Sequence, residues 1–260
     1  MIKTVIATRY VTPLREGGSL PAIVEADDGL LYVMKFVGAG QGPKALIAEL
    51  MAGEIARALG LLVPDIVLLE LDPGLGRNES DAEIQDLLQA STGLNLGLRF
   101  LPNAFAFNML LPPPPEPDLA SRIVWFDAYV TNVDRTPRNV NMLIWQDDLW
   151  LIDHGAALYF HHAWDDYLTR SRTPFALIKE HTLLPFASTI PQADAALRPL
   201  LTPALLRQIA GFIPDPWLDH DTDFANPAEQ REAYVEYLLH RLEAAPIFVE
   251  EAVNAHAQSV

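Results

Sequence analysis

The chain has no cysteine, few basic residues and no long hydrophobic run. Without cysteine it has no disulfide and no thiolate metal ligand, which suits a reducing cytosol, so we expect a cytoplasmic protein. Only 18 lysines and arginines stand against 34 aspartates and glutamates, a formal charge of −16. This balance argues against binding to nucleic acid, whose phosphates are neutralised by basic side chains, and against an anionic membrane surface. No apolar run reaches the roughly 18 residues of a membrane span, and we expect no signal peptide.

What is present is enough apolar material for a core: half of the 260 residues are hydrophobic. This length suits one large domain or two lobes that share a cleft. The first third alternates strand signals with turn signals, and its first three strands predict an antiparallel meander. The predicted elements are strands at 4–9, 22–26, 31–37, 64–71 and 94–101, helices at 44–60 and within 78–92, and a helix at 121–133. After residue 157 the pattern is helical, with segments at 178–184, 203–212, 227–242 and 247–256.

Lys35 lies within the third predicted strand, on the face that also carries Val33 and Val37. A lysine in this position either marks a solvated edge or points into a cleft to meet phosphate. Gly17 and Gly18, between the first two strands, form either a simple hairpin turn or a cover over nucleotide phosphates, since glycine lets backbone N–H groups approach closely.

The predicted helix 44–60 carries two glutamates near its apolar face, Glu49 and Glu54. Glu49 shares its row with Ala45, Ala52 and Ala56, and small neighbours leave room for another side chain to reach it. This row, together with the family resemblance described below, favours Glu49 over Glu54 as the partner that orients a phosphate-binding Lys35. A surface glutamate is the alternative.

A polar loop and a strand hairpin dominate the middle of the chain. Asp134 is followed five residues later by Asn139, then by strands at 140–145 and 149–152, and then by Asp153-His154-Gly155. This is the order of the kinase catalytic and metal-binding loops. The hairpin predicts that Asn139 and Asp153 lie side by side as Mg²⁺ ligands, with Asp134 as the base for a hydroxyl proton. Asp and Asn as simple turn caps are the alternative.

The segments YVMKF, AELMAGEIARALGLLVP and FDAYVTNVDRTPRNVNML, followed by LWLIDHG, resemble the HipA-like kinases, distant relatives of the protein kinases and phosphoinositide kinases. The resemblance covers roughly residues 5–160. It implies that Lys35 holds ATP phosphates, that Glu49 pairs with it, that Asp134 is the catalytic Asp, and that Asn139 and Asp153 hold Mg²⁺. His154 departs from the usual aromatic of the Asp-Phe-Gly triplet, and the long N-terminal segment of the toxin members is absent, which leaves toxin–antitoxin partnering unsupported.

The expected fold is α+β and bilobal, with a small antiparallel β-rich N-lobe at 1–110 and a mainly helical C-lobe at 111–260, joined near Pro112–Pro115. Phe100 and Leu101, near this junction, are counted with the residues expected to contact the nucleotide. Asp127, in the helix before the loop, either anchors that loop or caps local backbone.

The expected function is ATP- and Mg²⁺-dependent phosphoryl transfer to a hydroxyl acceptor, a serine or threonine of a protein. A small-molecule kinase of the aminoglycoside or choline kinase kind is a second possibility, because an acidic protein suits a cationic substrate. A nucleotide-binding scaffold without transferase activity is the third.

Overall fold

The computed structural model describes residues 2–14, 20–40, 42–75, 81–218 and 223–259. The strands are β1 (Lys3–Pro13), β2 (Ala22–Ala26), β3 (Leu31–Lys35), β4 (Ile66–Leu71), β5 (Gly93–Arg99), β6 (Phe105–Ala106), β7 (Met142–Trp145) and β8 (Asp148–Leu151). The α-helices are α1 (Pro43–Ala58), α2 (Ala82–Ala90), α3 (Pro117–Val130), α4 (Tyr167–Arg170), α5 (Ile190–Leu197), α6 (Pro203–Ala210), α7 (Pro227–Glu243) and α8 (Ala245–Ser259). Across these ranges, we find no helix with the length and apolar character to span a membrane.

Five strands close into a barrel in the order β1-β2-β3-β5-β4. The predicted meander of the first three strands is confirmed, because β2 pairs antiparallel with both β1 and β3. The expectation of a wholly antiparallel sheet is wrong at one seam, where β1 and β4 run parallel. A parallel pair needs a long connection rather than a hairpin, and the chain between these strands, which includes α1, provides it.

The alternation of β3 decides where Lys35 points. Tyr32, Met34 and Phe36 are buried in the barrel's own hydrophobic cluster, together with Val24. Because neighbouring side chains of a strand point to opposite faces, Lys35 must leave the barrel on the other side. That side faces α1, so the strand pattern places the lysine against the helix that carries Glu49.

A second and larger core joins α1 to the helices of the C-terminal half. Its buried side chains run from Leu46 in α1 through Trp125 in α3 to Phe248 in α8. Trp125 stacks on Tyr129, with ring centroids 5.5 Å apart. The indole N–H of Trp217 donates to the carbonyl of Leu94 at 3.0 Å, so the C-terminal half also contacts the barrel directly.

Two helix predictions need correction. Helix α3 begins at Pro117, a favourable first position, and ends at Val130, because Thr131 adopts left-handed backbone with φ of 53°. The predicted helix at 178–184 is instead a pair of short 3-10 turns at 176–180 and 184–186. The first turn ends because His181 adopts extended backbone, with φ of −69° and ψ of 130°. Pro185 has no N–H to donate to the carbonyl four residues earlier, so an α-helix cannot continue through this point.

Gly97 of β5 offers a test of packing between barrel strands. A Cβ at this position would lie 2.8 Å from Val67 Cγ2 and 3.2 Å from Leu69 Cδ1. We expect Gly97→Ala to destabilise the protein by about 1–3 kcal/mol, the usual effect of overpacking, measured by chemical unfolding. Gly155→Ala is the matched control, since its Cβ would meet nothing closer than 3.5 Å. Equal stability of the two variants would contradict this account.

Candidate active site

Lys35 and Glu49 form the predicted ion pair. Lys35 Nζ lies 2.5 Å from Glu49 Oε2 and also contacts Asp153 Oδ1. Burial alone would lower the pKa of Lys35, but the two carboxylates outweigh it and raise that pKa. Burial likewise would raise the pKa of Glu49, yet Lys35 and His154 lower it overall. Both groups are therefore charged at neutral pH, and the lysine is held between α1 and the segment that follows β8.

His154 is a site residue whose structural contact the sequence did not predict. It is fully buried, its Nδ1 lies 3.3 Å from Glu49 Oε1, and its ring meets Phe126 edge-on at 5.8 Å. Glu49 thus has a partner on each carboxylate oxygen. Gly155 follows directly and lies against Ala45 and Glu49, so the small row predicted on α1 does leave space for the Asp-His-Gly segment. In the sequence, the place of His154 directly after Asp153 was the signal that could have indicated its part in the site.

Asp134 and Asn139 lie together in the loop after α3. Asn139 Nδ2 donates to Asp134 Oδ2 at 2.7 Å. Because a carboxylate can only accept, the amide nitrogen faces Asp134 and the amide oxygen is left for another ligand. Thr136 and Asn139 exchange two backbone hydrogen bonds of 3.0 Å, which fix the tight turn between them. Burial raises the pKa of Asp134; the hydrogen bond from Asn139 opposes this, and the negative charge of Asp153 adds to it.

The hairpin after this loop is shorter than predicted. Met142 pairs with Leu151, and beyond them Ile152 N donates to Asn141 O at 3.1 Å. Asn139 therefore precedes the first strand by several residues, and the prediction that it opens the strand is wrong. The reason is Asn141, whose left-handed backbone (φ 49°) breaks the extended run. Its side chain donates to the Asp134 carbonyl at 3.3 Å, a positioning role that the sequence analysis missed.

Asp127 anchors the loop, one of the two roles considered from the sequence. It is fully buried in α3 and accepts from Arg135 Nε at 2.6 Å and from Asn132 Nδ2 at 2.8 Å. His181 Nε2 lies 2.9 Å from Asp127 while its Nδ1 accepts from Leu183 N, which fits a neutral ring with the proton on Nε2. Burial lowers the pKa of His181. Burial would raise the pKa of Asp127, but Arg135 and His181 bring it well below its usual value.

Arg135 connects Asp127 to the chain that leads into the hairpin. Its guanidinium also donates to the carbonyl of Asn141, and its own carbonyl accepts from Thr182 N at 3.0 Å. The residue next to Asp134 is therefore bound to α3, to the hairpin and to the segment after residue 180. Asp134 thus belongs to a well-anchored segment, which suits the role at a substrate hydroxyl that the sequence predicts for it.

Phe100 and Leu101, two further predicted nucleotide contacts, do not join this cluster. Gly17 and Gly18 lie outside the described residues. Phe100 and Leu101 directly follow β5, and Phe100 N donates to Leu31 O at 2.9 Å. Their side chains line a separate cavity that none of the five polar site residues lines. A role for them at the nucleotide stays a prediction.

The polar residues fit a divalent cation held mainly through phosphate. Across the described ranges no three His, Asp or Glu side chains cluster as a metal site. Asn139 and Asp153 would supply two protein oxygens, and Mg²⁺ typically completes such sets with phosphate oxygens and water. Asp134 and Asp153 lie close enough for the charge of one to raise the pKa of the other. A cation between them would relieve this repulsion, so the donor set suits the predicted metal.

The site combines a strand lysine paired with a helix glutamate, an Asp–Asn loop and an Asp that follows a hairpin. Together with the closed β-barrel, this set of residues is the one expected of a kinase-like phosphotransferase. Comparison with models of known protein families agrees, because the model of the family described as "HipA-like kinase" matches residues 7–250. The chain belongs to the HipA-like kinase family.

Solved structures of kinases share this fold. The Helicobacter pylori proinflammatory kinase CtkA matches with a TM-score of 0.52 and 13% identity, covering 98% of this chain and 99% of that one. A Golgi casein kinase with Mn/ADP bound matches with a TM-score of 0.50 and 12% identity, covering 100% of this chain and 74% of that one. A search of curated protein sequences gave no match.

Proposed function

We propose that this kinase is cytoplasmic and transfers the γ-phosphoryl group of ATP, with Mg²⁺, to the hydroxyl of a serine or threonine in a protein. The contact of Lys35 with both Glu49 and Asp153 carries this proposal. It joins the residue expected to bind phosphate to the helix that orients it and to the carboxylate expected to bind the metal. The Golgi casein kinase solved with Mn/ADP supports a nucleotide and a divalent metal in this fold.

Each of the five polar site residues has a defined part in this proposal. Lys35 binds phosphate oxygens, and Glu49, itself held by His154, keeps the lysine extended toward them. Asn139 and Asp153 hold Mg²⁺, which neutralises phosphate charge when bound. Asp134 accepts the proton of the acceptor hydroxyl through its carboxylate. Its raised pKa makes it a better proton acceptor than an ordinary aspartate.

The proposed arrangement is bilobal, with residues 1–110 as the N-lobe and 111–260 as the C-lobe. The barrel and α1 supply Lys35 and Glu49, whereas the loop after α3 and the β7–β8 hairpin supply Asp134, Asn139 and Asp153. ATP would bind between these two groups of elements.

Thermal unfolding with and without Mg-ATP tests the nucleotide site. A ligand at 100 times its dissociation constant stabilises a protein by about 2.7 kcal/mol, which corresponds to a rise of about 5–10 °C in the midpoint at this size. We expect this shift for the wild-type protein and for Asp148→Ala, which removes an exposed carboxylate from the same hairpin. We expect the Asp153→Ala variant to lose the part of the midpoint rise that depends on Mg²⁺, measured against the midpoint of the same variant without ligand. No shift in any of the three would overturn the nucleotide site.

A small cationic molecule is a second candidate acceptor, favoured by the charge of −16. Phosphate transfer from radiolabelled ATP to a metabolite pool, with none to a protein extract, would decide for it. Labelled protein with unlabelled metabolites would decide for the protein acceptor.

A further inference from the structure

A second cavity lies apart from the Lys35 cluster. Its volume is about 610 Å³, within the roughly 300–1,000 Å³ typical of small-molecule sites. Three segments form its walls: the loop after α1 (Gly60–Asp65), the end of β5 with the residues that follow it (Arg99–Pro102), and the β7–β8 hairpin. Lys35, Glu49, Asp134, Asn139 and Asp153 do not line it, so it is not part of the site described above.

The hairpin contributes two tryptophans, which set the apolar character of the cavity. Trp145 and Trp150 meet edge-to-face, with ring centroids 5.2 Å apart. Both indole N–H groups already have partners, Pro102 O at 3.0 Å and Trp145 O at 3.2 Å. The rings therefore offer apolar surface rather than donors, beside Pro64 and Phe100. A flat aromatic ligand would stack or pack edge-on here.

The charged lining of the cavity favours an anion. Arg57 is already neutralised, since its Nη1 lies 2.9 Å from Asp65 Oδ1. Arg99 is half-buried and lies near the Tyr32 hydroxyl, where its charge opposes the rise in the pKa of Tyr32. Tyr32 belongs to an adjoining cavity, so Arg99 lies between the two cavities and lines both. In the part of the chain that the structure describes, no carboxylate forms an ion pair with Arg99. The lining of this cavity thus has one net positive charge in a strongly acidic protein.

We propose that this cavity binds a small aromatic carboxylate, with its ring against Trp145 and Trp150 and its carboxylate on the Arg99 guanidinium. Arginine suits this role because its planar fork binds a carboxylate through two parallel hydrogen bonds. The proposal uses none of the five polar residues of the proposed phosphoryl transfer, although Phe100 and Leu101, which the sequence predicted as nucleotide contacts, line this cavity.

Calorimetric titration with naphthoate, compared with the neutral naphthalenemethanol, tests the site. The two probes share a ring system, so their difference isolates the carboxylate. We expect saturable binding of one naphthoate per chain and about tenfold weaker binding of the alcohol, a difference of about 1.4 kcal/mol. Trp150→Ala should weaken both probes, whereas Arg99→Gln should weaken only naphthoate, to the level of the alcohol.

Two further variants separate this site from general charge effects and from the proposed nucleotide site. Arg207→Gln removes an exposed arginine elsewhere and should leave naphthoate binding unchanged. Asp153→Ala should also bind naphthoate normally, even where it loses its response to Mg-ATP. Circular dichroism confirms folding of each variant, and Arg99→Lys should keep part of the preference for the anion. No saturable binding, equal affinity for the two probes, or full affinity in Arg99→Gln would each overturn the proposal.

Discussion

Asp134→Ala should reduce phosphoryl transfer by about 10²–10⁴-fold, the usual contribution of a positioned general base. The reason is its place in the loop, where its carboxylate accepts from Asn139 and is only partly buried. Its pKa is raised by burial and by Asp153, so proton transfer to it is more favourable than to a solvated aspartate. The measurement is single-turnover transfer from radiolabelled ATP at saturating nucleotide.

Asp134→Asn provides the closest control, because it keeps the shape of the side chain and loses only the basic carboxylate. It should be as inactive as the alanine variant. Both variants should retain most of the thermal stabilisation by Mg-ATP, since Lys35, Glu49 and Asp153 are unchanged. Undiminished turnover in either variant would refute the role of Asp134. Loss of both turnover and nucleotide binding would show that Asp134 contributes to binding the nucleotide instead.

The second large effect is on stability, in Asp127→Ala. This change leaves the buried Arg135 guanidinium without its carboxylate and removes the partner of His181 and Asn132. Breaking a buried ion pair in this way costs about 3–5 kcal/mol. For a chain of this size we expect the unfolding midpoint to fall by about 6–20 °C, measured by differential scanning calorimetry.

Glu232→Ala is the matched control for this loss. It also removes one carboxylate from an arginine pair, with Arg207 Nη2 at 2.8 Å from Glu232 Oε1, but both side chains are solvent-exposed. Exposed pairs contribute little, so its midpoint should stay within about 2 °C of the wild-type value. Equal midpoints for the two variants would mean that Asp127 does not carry the loop.

The sequence predicted the ion pair because two short-range patterns agreed. Alternation in the strand put Lys35 on the valine face, as either a solvated edge or a cleft residue. The alanine row on α1, together with the family resemblance, favoured Glu49 over Glu54, which instead lies 3.4 Å from Arg57. The pairing of Asp134 with Asn139 could be predicted for a similar reason, because the two residues are only five positions apart in one short loop. Such local patterns depend on backbone period alone.

What the sequence could not provide depends on contacts between distant segments. The partner that His181 finds in Asp127 lies 54 positions away, and nothing in the residues around 181 indicates it. The parallel pairing of β1 with β4 likewise follows from how the barrel closes rather than from either strand. The strand β6, only two residues long, has too few positions to show any alternation.

The shared core of α1 and the C-terminal helices has a consequence for how the chain is divided. Leu46, Leu50 and Met51 of α1 are fully covered, and the cluster that covers them extends to Ala252 in α8. A fragment that stops near residue 110 would keep its barrel core but expose the apolar side of α1 to water, with the aggregation tendency of any large apolar patch. The boundary near residue 110 therefore separates roles in the proposed chemistry only. Because the core is shared across it, we expect the two sides to unfold together.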